Sequence, residues 1–483
     1  MERFSLVLAL LSLLLSEPSS THAQDASLDR VRSAGVLRYG CDAEGGGPYA
    51  YPDPNEPSRV TGFEVELMER LCGPLGPRPD LYQGQWDSLL PTLGAGHVDV
   101  VVNGYEWTPE RSADYRATRP YYIFQLQWMV RPDGPIQSEA DLKAPRKDGN
   151  PWKVAVLGGS SAETHARELG EQVSVQYFNG ATDAMMAVQN GQADATLQDL
   201  PAARFYRENF PGLTLMGEPV GHGFYVMYLR NEDATLLEAL NHAIERVIAS
   251  GELEAIYRRY DIWTEAQNEL ASLGPLDPPS SSKQDRDRGV GLIRRYGATL
   301  LVSAGMTVFL SFASMPLAMA IGLMVALGRL YGPSVLRSLL AAYVETIRGT
   351  PLMLQLFVLF FLLPKLGLEL PALVAGIGGL AINYSAYEAE IYRAGLQAIP
   401  AGQMEAALAL GMSRGMALRR VIVPQAVRIV IPPVTNDFIA LFKDTSVCSV
   451  ISVVELTKRY SILANSTGGV VEFAIATAVL YMA

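Results

Sequence analysis

The sequence predicts an α/β domain followed by an all-α membrane domain of about five transmembrane helices, and three observations carry that prediction. The 483 residues are 49% hydrophobic and only 18% charged, against roughly 25% charged in soluble domains. The charge is split along the chain. Residues 291–483 hold 14 Lys+Arg against 9 Asp+Glu, a net of +5, and the rest carries −16 of the chain's −11. The front half alternates short apolar runs with amphipathic stretches, whereas the back half carries long uncharged ones. An acidic, water-soluble front is therefore tied to a basic, apolar back. The acidic balance excludes a nucleic-acid binder, and the apolar content excludes a disordered chain.

The N-terminus reads as a targeting segment. Arg3 supplies a small positive start, Leu6–Leu15 is an apolar run of ten, and Ser16–Ala23 is polar and ends in small residues. That is a secretory signal peptide, residues 1–23, cut after Ala23. Ten apolar residues fall short of the about 20 needed to span a bilayer, so the segment that follows is exported. Cys41 and Cys72 either pair there or remain buried thiols. With Cys448 they are too few for a disulfide framework. The absence of CxxC or a Cys/His cluster predicts no metal and no cofactor.

Strands and helices alternate over residues 25–265. Val36–Gly40, Val98–Val102, Trp152–Leu157 and Ala193–Leu197 read as strands, and Gly62–Leu71, Ala181–Gln189 and Leu236–Ile248 as helices. The alternation predicts a mainly parallel sheet, with ligands at the carboxyl ends of its strands. Asp42 follows the first strand, Asn103 and Gly104 follow VDVVV with Arg111 shortly after, and Asp199 follows Ala193–Leu197. Gly158-Gly159-Ser160-Ser161 enters a helix near Ala162, whose free N–H groups suit an anion. One Arg, one helix N-terminus and two carboxylates suit a zwitterion, and Trp86 offers an aromatic wall.

Four segments then resemble the polar amino-acid binding proteins of ABC importers: Gly84–Arg111 (GQWDSLLPTLGAGHVDVVVNGYEWTPER), Thr61–Leu67 (TGFEVEL), Val154–Thr164 (VAVLGGSSAET) and Gly191–Asp199 (GQADATLQD). The resemblance implies an α/β two-lobed periplasmic-binding-protein fold that closes on one polar amino acid. It places the second lobe at about 135–222, with crossings near Val130–Pro135 and Gly221–Phe224. It implies that Arg111 and Ser161 hold the α-carboxylate, and that Asp199 and the Gly104 carbonyl hold the α-amino group. Asp42 would stand at the first strand's mouth and Trp86 against the side chain, with Tyr49 or Tyr51 left to stack. The chain departs from that pattern at Glu106, where the family has Ser or Thr. A glutamate there repels an anion unless it turns away, pairs with Arg111 or meets a cationic side chain.

Ala271–Arg288 is rich in Pro, Ser and charge, and residues 266–290 read as a linker. Tyr296–Gly328 then runs 33 residues without a charge, enough for a long tilted span. Ser338–Tyr343 with Leu352–Leu363, Leu370–Tyr387, Ile429–Leu456 and Val470–Ala483 complete about five spans. With the binding domain on the periplasmic or extracellular side, Arg329, Arg337 and the Arg-rich segment 393–428 lie inside, as the positive-inside rule asks. Lys458 and Arg459 then fall outside, against the rule. Glu345, Arg348, Glu388, Glu390, Asp437, Lys443 and Asp444 lie within spans, where each is a default functional candidate or else pairs with another to stabilise the bundle, as Lys443 with Asp437 or Asp444.

Glu405-Ala406-Ala407, Gly411 and Val421-Ile422-Val423-Pro424 make the pattern E-A-A-x3-G-x9-hydrophobic-x-hydrophobic-P. This resembles the loop by which ABC importer permeases couple to their ATPase. Arg348–Phe357, Asn383–Arg393 and Leu441–Ser446 are similar to histidine/glutamine-type permeases. The resemblance implies a substrate-binding and permease subunit in the plasma (inner) membrane, not an enzyme. No GxxxxGK[ST] occurs in these residues, so a separate cytosolic ABC ATPase is expected. A second permease domain, an identical copy or a paralogue, completes the pathway. Val470–Ala483 is short for a span and has no basic tail, so truncation at the C-terminus is expected. A ligand-gated channel would interrupt the binding domain with its pore, and an exported enzyme on the same fold would need no spans.

Overall fold

The structure is a computed structural model that describes residues 25–43, 46–276, 290–467 and 469–482. The expected signal peptide and most of the expected linker lie outside the described residues. The strands are β1 (Val36–Cys41), β2 (Tyr51–Pro52), β3 (Val60–Thr61), β4 (Arg78–Gln83), β5 (Val100–Val101), β6 (Arg116–Ala117), β7 (Tyr122–Val130), β8 (Trp152–Leu157), β9 (Val173–Phe178), β10 (Ala195–Asp199), β11 (Thr214–Tyr225) and β12 (Tyr228–Leu229). One lobe is built on the sheet β4-β1-β5-β12-β6 and the other on β11-β7-β10-β8-β9. The parallel character is confined to β1 with its neighbours β4 and β5, and to β8 with β9 and β10. Antiparallel strands flank both groups, because the chain leaves and re-enters each lobe at that side.

The crossings differ from expectation. β6 belongs to the first sheet and β7 to the second, so the chain crosses between Ala117 and Tyr122 and returns between Tyr225 and Tyr228. The two crossings are bonded to each other, Tyr121 N–H to the Tyr225 carbonyl at 3.0 Å and Thr118 N–H to the Met227 carbonyl at 2.9 Å. The second lobe therefore begins near Tyr122, not 135. Val130–Pro135 is the far end of β7: its Pro and Gly signal a turn, which the sequence does not distinguish from a change of lobe.

Helix Ala234–Ala249 shows how the first lobe is held. Leu236, Leu240, Ala243, Ile244 and Val247 fall on one face at helical spacing and are all buried. Cys41 and Cys72 are free, buried thiols in the same core.

In the second half, helix Val290–Tyr331 crosses helix Ala372–Gln397 at Gly322. A Cβ there would stand 2.6 Å from the Glu388 Cβ and 2.9 Å from the Ser385 carbonyl. Only glycine permits that approach, the small-residue contact by which helices associate in lipid. Gly291–Tyr331 is long and apolar enough to cross a membrane, and a second span exists if Ser334–Gly349 and Leu352–Leu366, bent by 107°, count as one. The expected span Ile429–Leu456 is broken. Its helix ends at Asp444, a short 3-10 turn follows over Thr445–Ile451, and Ser452 takes φ 68°. Asp444 accepts the Tyr384 hydroxyl at 2.8 Å, while Glu390 lies between Arg329 and Arg393.

Helix Leu456–Thr467 explains the outside charges. It lies on the binding domain, where Lys458 is 3% exposed. Lys458 bonds the Asn179 side chain of the second lobe and stands 4.0 Å from Asp87 of the first. Asn465 Nδ2 donates to the Asp87 carbonyl at 2.7 Å, and Ile462 joins the core of the binding domain.

Leu240→Ala is expected to destabilise the binding domain by about 2–5 kcal/mol, measured as a lower unfolding midpoint for that domain. An unchanged midpoint would contradict the core assignment.

Candidate functional site

The site forms where the carboxyl ends of strands from both lobes face each other. Asp42 stands just past β1, Asn103 and Gly104 past β5, Ser160 and Ser161 past β8, and Asp199 ends β10. The cleft is lined by Asp42, Tyr49, Trp86, Asn103, Gly104 and Glu106 on one side, and by Leu157, Ser160, Asn179, Gln198 and Asp199 on the other. Arg111 and Ser161 stand behind this wall rather than on it; both border a neighbouring pocket with Gly159 and Asn465.

Ser160 caps helix Ser161–Glu168, its hydroxyl accepting from Glu163 N–H and donating to the Leu157 carbonyl at 2.7 Å. The N–H of Ser161 therefore remains available to an anion at that end. It is Glu106 that takes it, Oε1 at 2.9 Å. Glu106 Oε2 also lies 2.6 Å from Arg111 Nη1, and both side chains are 2% exposed. Arg111 is completed by the Glu106 carbonyl at 2.9 Å and the Gly159 carbonyl at 2.7 Å. Its guanidinium lies 5.3 Å from the ring centres of both Trp86 and Tyr105, which are stacked on each other. The two donors assigned by resemblance to a ligand carboxylate are thus engaged by a carboxylate of the chain.

Asp199 Oδ2 accepts from Tyr49 at 3.2 Å and from Tyr225. Burial pushes this carboxyl up to about 7, and the charge of Glu106 adds to the shift. Tyr49 stands in the cleft, whereas Tyr51 packs on Phe205 at 4.7 Å. Asp42 accepts from Gln83 and from Trp86 N–H, both at 3.2 Å, and the Trp86 indole N–H donates to the Asn103 carbonyl at 3.0 Å.

Sequence reasoning missed three participants in the site and one residue of the helix docked beside it. Glu64 is fully buried and accepts Gly104 N–H at 2.8 Å and the Tyr121 hydroxyl at 2.5 Å. Burial pushes its carboxyl up to about 8. Its signal was an acidic residue on the apolar face of Gly62–Leu71, beside Phe63 and Leu67. Tyr225 and Asn179 carry no local signal, because strand crossing and docking bring them in, and Lys458 stood out only as a basic residue on the outer side. Burial pulls the Lys458 ammonium down, and Asp87 and Glu163 oppose that.

At the far end of the second half, helix Ala401–Ala409 carries Glu405 and Ala406 exposed and Ala407 buried. Gly411 follows at φ 82°, its N–H on the Leu408 carbonyl at 2.9 Å. Pro424 stands in the first turn of helix Val423–Asp444. Leu410 beside Gly411 is 80% exposed.

Residues 37–262 match the bacterial extracellular solute-binding proteins, family 3. Residues 318–483 match the binding-protein-dependent transport system inner membrane component. The chain is similar to the L-cystine transport system permease protein TcyB of Bacillus subtilis, 41% identical over 153 residues, 32% of this chain and 65% of that protein. It is also similar to a probable glutamine ABC transporter permease protein, GlnP, of the same organism, 41% identical over 157 residues, 32% of this chain and 72% of that one. The glutamine transport system permease protein GlnP of Escherichia coli is 35% identical over 185 residues, 38% of this chain and 84% of that one. Among solved structures, an ancestral arginine-binding protein bound to arginine is 28% identical with a TM-score of 0.43, covering 47% of this chain and 98% of that one.

A cation held on Asp199 binds in competition with a proton. Affinity for an ammonium ligand is expected to fall about tenfold per pH unit below about 7, and Asp199→Asn to remove both that slope and most of the affinity. Calorimetry of the full chain across that range checks it, and a flat profile would remove Asp199 from the site.

Proposed function

Because the chain belongs to the amino-acid permeases of binding-protein-dependent transport systems and carries a family-3 solute-binding domain ahead of its permease, we propose that it is both the receptor and half of the pathway of an ATP-driven importer. The solute is a small one of the amino-acid type, held through its ammonium group by Asp199. The binding domain faces the outside, residues 1–23 export it, and residues 266–290 tie it to the permease. A second permease domain completes the pathway, and a separate cytosolic ATPase seats on Glu405–Gly411.

The observation that carries this reading is the contact of one permease helix with both lobes. Lys458 reaches Asn179 on one side of the cleft and Asp87 on the other. A lysine buried among carboxylates, with Asp87, Glu163 and Asp183 around it, is held only while both lobes stand where a closed cleft puts them. Opening or closing of the cleft is therefore felt directly by the permease. A channel or an exported enzyme built on the same lobes has no use for the exposed loop at Gly411.

Lys458→Ala is expected to leave solute binding in place and to lower solute-stimulated ATP hydrolysis, with the ATPase present, at least about tenfold. Truncating one partner of a buried charge pair has effects of that order. Full stimulation would separate the contact from coupling. Gly411→Asp places a charged side chain at a left-handed position, directly in the exposed loop. It is expected to abolish stimulation while binding persists, and normal stimulation would refute the coupling assignment.

A further inference from the structure

The cleft contains an anion seat, and the chain fills it. Glu106 brings Oε2 to 2.6 Å from Arg111 Nη1 and Oε1 to 2.9 Å from Ser161 N–H. Several other donors beside the seat also point into the protein. The Trp86 indole N–H is on the Asn103 carbonyl, the Ser160 hydroxyl is on the Leu157 carbonyl, and the Tyr49 and Tyr225 hydroxyls are on Asp199.

Carboxylates and aromatic faces are prominent in what the wall offers a solute. Asp42 and Asp199 line it together with the rings of Tyr49 and Trp86. Glu106 cancels the charge of Arg111, which leaves the wall with the carboxylates of Asp42 and Asp199 and, among the described lining residues, no cation. A solute carboxylate entering here either stands among like charges or displaces Glu106 from a buried pair, leaving that glutamate charged, desolvated and without a counter-ion. An ammonium or guanidinium meets neither obstacle, and aromatic faces favour it further.

We propose that the solute of this cleft is an organic amine whose ammonium end bears no adjacent carboxylate, with Glu106 standing where an amino acid's own carboxylate would sit. The proposal rests on the reading of this domain as the receptor of an importer, and takes its ligand to be the decarboxylated counterpart of an amino acid. Glu106 is the specificity-determining residue.

The test uses the full chain in lipid nanodiscs and calorimetry with matched pairs that differ only in one carboxylate: arginine and agmatine, ornithine and putrescine, histidine and histamine, glutamine and 4-aminobutanamide. At least one amine is expected to bind at least about tenfold tighter than its parent amino acid. Glu106→Ser, which empties the seat, is expected to shift that pair toward the amino acid by at least about tenfold. Should the variant fail to fold, the wild-type pairs decide alone. If amino acids bind and no amine exceeds its parent tenfold, the proposal is overturned while the receptor reading stands. Absence of binding in every pair up to about 10 mM overturns both.

Discussion

The binding half of this protein depends on one buried ion pair. Arg111 and Glu106 are each 2% exposed, and desolvating two charges is justified only when both are fully bonded. They are: Arg111 donates to the Glu106 and Gly159 carbonyls, and Glu106 accepts from Ser161 N–H. Arg111 and Glu106 belong to the first lobe, Gly159 and Ser161 to the second. Two of these bonds, to the Gly159 carbonyl and from Ser161 N–H, join the lobes, so the same pair ties the domain closed and sets the charge of its cleft. Tyr49 extends this logic, because it belongs to the first lobe and its hydroxyl bonds Asp199 of the second at 3.2 Å.

The membrane half answers a different constraint. Water does not drive its helices together, so contact relies on close approach and on polar pairs that leave no charge facing lipid. Gly322 lets two long helices touch, and Arg329 and Arg393 enclose Glu390. The basic residues that looked misplaced on the outer side are placed by the binding domain. Lys458 is buried against Asn179 and Asp87, a contact between residues about 280 and 370 positions apart in the chain.

Much of this was legible locally. The strands β1, β8 and β10, the helix at Leu236–Ile248 and the loop around Gly411 each carry their pattern within a few residues. Glu106 was legible as a conflict, since a carboxylate beside an expected anion site had to find a partner. The far partners were not legible: Tyr225 and Asn179 have ordinary neighbours in sequence, and Lys458 showed only as a charge against the positive-inside rule. The break at Asp444 was also hidden, because Ile429–Leu456 reads as one apolar run while the fold diverts it.

The sequence by itself determined the class of each half, their order, and which strand ends carry polar residues, because hydrophobic period and turn chemistry are short-range properties. Only the tertiary structure decided where the lobes divide, that Arg111 and Ser161 are answered from within the chain, and that a permease helix lies across both lobes. Those outcomes depend on which buried charges find partners in space, and a charge chooses its partner by distance and desolvation, neither of which is written in the order of residues.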